Sequence, residues 1–529
     1  MLPLRPFESA RVWKIVASAG TGKSYTIERT IKELMEDGVG ADEICYTLFN
    51  KQPAETFVSK FYELGVPIDM MRWWCTSHAL AKRLLKLKGD SILDLREWGQ
   101  AHGFALSGSF ENDPENAAGW DAEMASLSKK IYEGSSDFTR HEEKLLAALH
   151  KTEAEEGRYC HVRYLQKALS LMLFPPGVRY LFIDEAQDLS KIQFDWVASI
   201  IRDHPEVAGI MLAGDDRQAI NGFKGADYRL FLQFPADRTV NLLTTYRMAP
   251  AILREANGII APVRERSELI HDSARTIPGI VLNVHDLREL EMDFVDWLKE
   301  ERKVLVLARN RCWLDYARGW MDKVSLPTEK EWHTRHRRAL VALSDIRETG
   351  IITEDNYASI LPSCPSSQRG ELRKTAYWDK GVVDMIRRGD FKDDPSLMAG
   401  YELLRFEGGV TLDRCENVGL LPSFKAAVMT KIPDGLWNLS REELLTFDAC
   451  VKNFGLGFSE IRLSTIHSAK GEEADVVVIL TNLTTRSEQA EQQDEDNERR
   501  VAYVGATRAR DVLVLTKIAS FDRTSRILI

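Results

Sequence analysis

The chain has 529 residues, 44% of them hydrophobic and 28% charged, with a formal net charge of −10. This length predicts three or four structural units of ordinary globular composition, and an acidic average does not exclude a nucleic-acid partner, which needs only a local basic groove. No run of 18 apolar residues offers a membrane span, Met1 to Pro6 lacks a signal-peptide core, and the seven cysteines form no Cys-x-x-Cys pair, so a zinc site is not expected and a reducing compartment is.

Taken in order, Val12 to Val16 reads as a buried strand. It is followed by Ala17-Ser18-Ala19-Gly20-Thr21-Gly22-Lys23-Ser24 and then by a helical pattern carrying Ile27, Ile31, Leu34 and Met35, stopped at Gly38. A strand, a Gly-rich turn ending in Gly-Lys-Ser and a helix make a phosphate-binding loop, although Ala17 stands where the strict consensus has its first glycine. Lys23 is placed to reach terminal phosphates and Ser24 to ligate Mg²⁺. Glu43 to Lys51 reads as a strand ending in a polar loop, and Cys75 to Leu80 opens a basic helical stretch. Residues 90–175 read as a helical insertion, with a polar break from Ser107 to Gly119.

Val178 to Ile183 is a second buried strand, delivering Asp184-Glu185 at its C-terminal end, where parallel sheets place their chemistry. There Asp184 is a candidate metal-side carboxylate and Glu185 a candidate general base. Val207 to Ala213 leads into Gly214 to Gly225, which holds Gln218, a candidate γ-phosphate sensor, and Phe223 and Lys224, which serve either as core or as a nucleic-acid contact. Val240 to Leu243 precedes Thr244-Thr245-Tyr246-Arg247, and Lys303 to Ala308 is a further strand. Residues 325–450 turn irregular and read as a second insertion. Ile461 to Thr465 and Val476 to Leu480 are strands bracketing Ile466 to Glu473; residues 485–497 read as a mobile acidic loop, Glu498 to Arg510 as a helix and Val512 to Leu515 as a last strand.

These blocks resemble the UvrD/Rep/PcrA-type superfamily 1 DNA helicases. The resemblance is carried by AGTGKS at 19–24, TLFNK at 47–51, IDEAQDLS at 183–190, AGDDRQAINGFKGAD at 213–227, TTYR at 244–247, STIHSAKGEEAD at 464–475 and ERRVAYVGATRA at 498–509. The blocks cover about a fifth of the chain and span it end to end. The resemblance implies an α/β protein with two RecA-like parallel-sheet cores, each carrying an inserted, mostly helical domain. The first core would take residues 1–78 and 178–245 with its insertion at 79–177. The second would take 246–324 and 451–529 with its insertion at 325–450.

The resemblance also implies roles. Lys23 and Ser24 would hold phosphate and Mg²⁺ within the ATP loop 17–24, with Asp184 on the metal. Glu185 would orient water, Gln218 would touch the γ-phosphate, and Arg247 and Arg508 would act as arginine fingers. Tyr246 would stack on adenine and Glu473 would approach the ribose. Phe49, Asn50, His78, Phe223, Lys224, Thr465 and His467 would line a single-strand track. The chain departs from the family in lacking a Gln motif near Pro6-Phe7-Glu8-Ser9, in placing Phe223-Lys224 where Trp-Arg is usual, and in Glu472 where an apolar residue is common. The function implied is a cytoplasmic, ATP-dependent, single-strand-translocating DNA helicase of 3′→5′ polarity, acting on single-stranded or tailed duplex DNA, with protein partners reached through the insertions. The alternatives are a DNA-stimulated ATPase that strips nucleoprotein complexes with little unwinding, or an RNA helicase.

Overall fold

The computed structural model describes residues 6–48, 51–107, 117–268, 270, 272–329, 342, 346, 349–353, 356, 410–411, 453 and 460–528. The chain divides into two compact units: residues 1–285, 307–311 and 464–529 form the first, and 286–306 and 312–463 the second. Among the described residues no helix is long and apolar enough to cross a membrane.

The first unit is α/β. It opens with β1 (Val12–Ala17), α1 (Lys23–Glu36), β2 (Ile44–Leu48), α2 (Lys51–Glu63), β3 (Trp74–Thr76) and α3 (Ser77–Leu84). Helices α4 (Leu95–His102), α5 (Trp120–Tyr132), α6 (Arg140–Glu156) and α7 (His161–Ser170) follow, then β4 (Tyr180–Ile183), α8 (Lys191–Asp203), β5 (Gly209–Gly214), α9 (Tyr228–Gln233) and β6 (Arg238–Leu242). The six strands form one parallel sheet in the order β3-β2-β4-β5-β1-β6.

Alternation in β1 explains how the sheet is covered on both faces. Trp13, Ile15 and Ala17 join one core with Ile27, Ile31, Tyr46, Phe61 and Phe182. Val12 and Val16 join the other with Leu181, Ile183, Val197 and Leu212. Lys14 shares the second face and meets its burial by donating to the Leu232 and Phe234 carbonyls at 2.7 and 3.0 Å. Helices α4 to α7 close on a core of their own around Trp98, Phe104, Leu127, Leu145 and Leu149.

The same unit continues through β7 (Thr244–Thr245), α10 (Pro250–Ile260), β8 (Asp272–Ser273) and β9 (Ile280–Val284). In the second unit, α11 (Glu291–Lys299) and α12 (Arg311–Lys323, whose first residue lies in the first unit) flank β10 (Val304–Ala308), with the Phe294 ring against Trp297 and Trp320. There β11 (Ile351–Ile352) pairs antiparallel with β12 (Val410–Thr411). The remaining elements are β13 (Arg462–Thr465), β14 (Ala474–Leu480), α13 (Thr485–Gln493), α14 (Glu495–Ala506) and β15 (Ala509–Thr516). In the first unit β14, β15 and β9 lie side by side and parallel, making a second α/β layer.

Two expectations change. Residues 485–493 are helical rather than a mobile loop, because Thr484 caps the Ser487 N–H and Asp494 caps α14 directly afterwards. The last strand begins at Ala509, where α14 has already ended. Most of the polar break at 107–119 and most of the second insertion lie outside the described residues.

Candidate functional site

The sheet order puts the C-terminal ends of β4, β5 and β1 next to one another, and each delivers chemistry there. After β1 the chain turns through Gly20 and Gly22, both in the left-handed region (φ 70° and 86°), into α1. Gly20 is required for a second reason: a Cβ there would sit 2.4 Å from that of Arg247. The Thr244–Arg247 segment lies directly on the loop. Tyr246 donates its N–H to the Gly20 carbonyl at 2.8 Å, and the Thr245 hydroxyl donates to that of Ala19 at 3.0 Å. Thr21 Oγ1 ties the loop to Ser18, and Ser18 Oγ lies 2.5 Å from the hydroxyl of Tyr503 on α14.

Lys23 Nζ lies 2.5 Å from Glu185 Oε1 and 3.5 Å from Asp184 Oδ1, while Ser24 donates to Asp184 Oδ2 at 3.0 Å. Glu185 holds a left-handed backbone (φ 54°), an uncommon place for a side chain of its size. Burial opposes its charge, but Lys23, with Lys470 further off, outweighs it and holds the carboxyl at about 2. Burial raises Asp184 despite Lys23. The Lys23 ammonium is likewise opposed by burial but held above its usual range by Glu185 and Asp184.

After β5, Gln218 Nε2 donates to Asp215 Oδ2 at 2.6 Å, and its Oε1 accepts from Arg508 Nη2 at 2.6 Å. Arg508 is fully buried at the end of α14; burial and then Arg247 press it down to about 9, so the guanidinium stays charged at neutral pH. Arg247 donates to Glu473 Oε2 at 2.7 Å. Tyr246, at 63% exposed, presents its ring to solvent beside the loop.

The expected single-strand residues are less unified. Phe49 and Asn50 lie outside the described residues. Phe223 is half-buried with the His467 ring edge-on at 5.9 Å and Lys224 over it at 5.5 Å. His467 Nε2 is buried without a hydrogen-bond partner. Burial, then Arg309, Lys470 and Lys224, hold that ring at about 3, so it is neutral. Thr465 turns its hydroxyl to Ser468 Oγ at 3.0 Å. His78 is bonded through Nε2 to Tyr132 of α5 at 2.9 Å, lies beside the His161 and Tyr164 rings, and feels the Lys224 charge that also acts on His467.

Sequence reasoning passed over the residues that join these groups. Gln187 donates to Glu185 Oε2 at 2.6 Å and accepts from the Asp215 N–H at 2.9 Å, linking the two turns. Lys470 contacts Asp188 and the Gln218 carbonyl. Their one sequence signal was membership of the quoted blocks.

Residues 6–159 and 162–239 match the UvrD/REP helicase N-terminal domain, and residues 432–520 match the UvrD-like helicase C-terminal domain. Together the two matches take in more than half of the chain. The chain belongs to the UvrD-like helicase family. As a UvrD-like helicase it is 24% identical over 289 residues to DNA helicase II of Escherichia coli (strain K12), covering 46% of this chain and 38% of that protein. It is 26% identical over 290 residues to the ATP-dependent DNA helicase PcrA of Leuconostoc citreum, covering 48% of this chain and 37% of that one. Against the ATP-dependent DNA helicase UvrD1 of Mycobacterium tuberculosis it is 25% identical over 339 residues, covering 55% and 43%. The matched stretches thus span less than half the length of these relatives. The segment Pro6–Glu8 packs Phe7 against Tyr180 and Gly209, the first residues of β4 and β5. These are the N-terminal ends of central strands, the end of the sheet opposite the phosphate loop.

Proposed function

We propose that this UvrD-like helicase hydrolyses ATP with Mg²⁺ to move along single-stranded DNA in the 3′→5′ direction and to separate duplexes. The observation that carries this reading is the direct contact of Gln218 with Arg508, set beside the Lys23–Glu185 pair through Gln187. The residues fit a nucleoside triphosphate and a divalent cation. Helix α1 starts without a side-chain cap behind a left-handed Gly22, leaving its first N–H groups for an anion. Ser24 and Asp184, already joined, supply the hard oxygen donors a Mg²⁺ ion takes. When bound, the nucleotide supplies the phosphoryl bond whose cleavage drives the cycle. Lys23 would neutralise its terminal phosphates, Glu185 would take the proton of the attacking water, and Arg508 and Arg247 would offset charge growing in the transition state. Tyr246 would stack on the adenine, and Phe223 and His467 would give single-strand bases stacking surfaces. The protein would work in the cytoplasm.

The test is ATP turnover with and without single-stranded DNA or RNA, alongside strand separation on duplexes tailed at either end. Turnover stimulated by DNA with release from 3′-tailed substrates alone is expected. Absence of turnover sinks the reading. Stimulated turnover without strand separation assigns instead an ATPase that displaces bound proteins.

A further inference from the structure

Lys470 is buried in the turn that follows β13, and its ammonium is fully engaged. It donates to both carboxylate oxygens of Asp188, at 2.8 and 2.6 Å, and to the Gln218 carbonyl at 2.8 Å. Its side chain is 7% exposed and that of Asp188 is 0%. Neither residue was given a contact with nucleotide, metal or DNA above.

One ammonium therefore fastens three turns that carry different chemistry. Asp188 closes the turn after β4, where its N–H bonds the Glu185 carbonyl at 2.9 Å. Gln218 sits on the turn after β5; Phe223 follows five residues on, and Asn221 between them bonds the Asp188 carboxylate. The third turn carries His467, whose ring meets Phe223. A buried ion pair cannot lose one partner without leaving an uncompensated charge, so the three turns either shift together or change partners together.

We propose that Lys470 is a positioning residue that couples the nucleotide site to the grip on single-stranded DNA, by locking the Glu185 and Gln218 turns to the Phe223–His467 pair. This rests on the reading of the protein as a DNA-dependent ATPase. It assigns to Lys470 no contact with either ligand. The competing explanation is an ion pair that only stabilises the core.

The two separate in the full-length chain by comparing Lys470→Met with the double variant Lys470→Met/Asp188→Asn. The single variant strands a buried carboxylate and should melt at a clearly lower temperature. The double variant removes both charges at nearly constant volume and should recover most of the loss. For each variant, turnover is measured with and without an oligothymidylate, as is oligothymidylate affinity with and without a non-hydrolysable ATP analogue. If Lys470 couples the sites, the double variant's stimulation, taken relative to its own turnover without oligonucleotide, falls by about tenfold, and the analogue no longer changes oligonucleotide affinity. Wild-type stimulation and wild-type response to the analogue in the double variant overturn the proposal. Should the double variant fail to fold, Lys470→Arg keeps the charge but replaces the compact ammonium with a longer, planar fork that shifts where Asp188 and the Gln218 carbonyl are held. It must then show weakened stimulation at near-normal melting temperature, and full stimulation overturns the proposal. A wild-type protein whose turnover ignores the oligonucleotide defeats the underlying reading, and the coupling with it.

Discussion

Glu185 combines an unfavourable backbone conformation with a carboxyl held charged by its neighbours, and both are held by packing around one short turn. Glu185→Gln keeps the shape and removes the carboxylate proposed as the base. Nucleotide affinity should persist while turnover falls by about 10²–10⁴-fold, and parallel titration and steady-state assays check this; equal losses in both would remove the base assignment. The histidines make a second residue-scale prediction. Burial lowers His78 to about 4 and His467 to about 3, from an ordinary value of 6.5. Each depressed value favours folding above pH 6.5, and the contribution fades as pH falls toward the folded value, since the unfolded chain takes up the proton first. Stability should therefore decline from pH 7 to pH 4.5. His78→Asn should flatten that decline by about 1–2 kcal/mol, allowing for the partial solvent access of its ring. Denaturant melts at the two pH values decide it, and an unchanged slope would falsify the neutral, buried state.

At the scale of elements, the phosphate loop depends on the strand–turn segment laid over it. Gly20→Ala would drive a methyl group into the Arg247 side chain at a left-handed φ. The expected result is a loss of about 1–3 kcal/mol in stability with a larger fall in nucleotide affinity, read from thermal melts with and without nucleotide. Retained affinity would mean that Thr244–Arg247 does not brace the loop. The strands β1, β4, β5 and β14 were legible because buried parallel strands are unbroken apolar runs, and the phosphate loop was legible because its glycines stand at fixed spacing. Helix α13 was not: Thr-Arg-Ser-Glu-Gln-Ala-Glu-Gln-Gln has almost no apolar face, and its order comes from the caps at Thr484 and Asp494. The bond of Lys470 to Asp188 joins residues 282 positions apart, a separation over which no periodicity speaks. The hydrogen bond of His78 to Tyr132 of α5 was not legible either, since nothing in the pattern of that helix points to the contact.

For the molecule as a whole, the excess of acidic over basic residues, 80 against 70, conceals local basic and aromatic groupings such as Phe223 with Lys224. Affinity for single-stranded DNA should still fall steeply with salt, the logarithmic slope being about −0.7 for each phosphate contact. Fluorescence titrations between low and moderate salt measure it, and a flat response would leave no basic track to speak of. The division into two compact units also sets an expectation for unfolding, since units with separate cores need not melt in one step.

Under the proposed function, the ion pair between Lys23 and Glu185 would work as a safety catch. The ammonium that would receive a phosphate is bonded to the carboxylate that would activate water, so each would hold the other in check. An anion that claims Lys23 must first release Glu185, whose burial then pushes its proton affinity upward, toward that of a working base. The site would thus arm itself only as it loads, since a carboxylate still held by Lys23 would be too weakly basic to use a stray water.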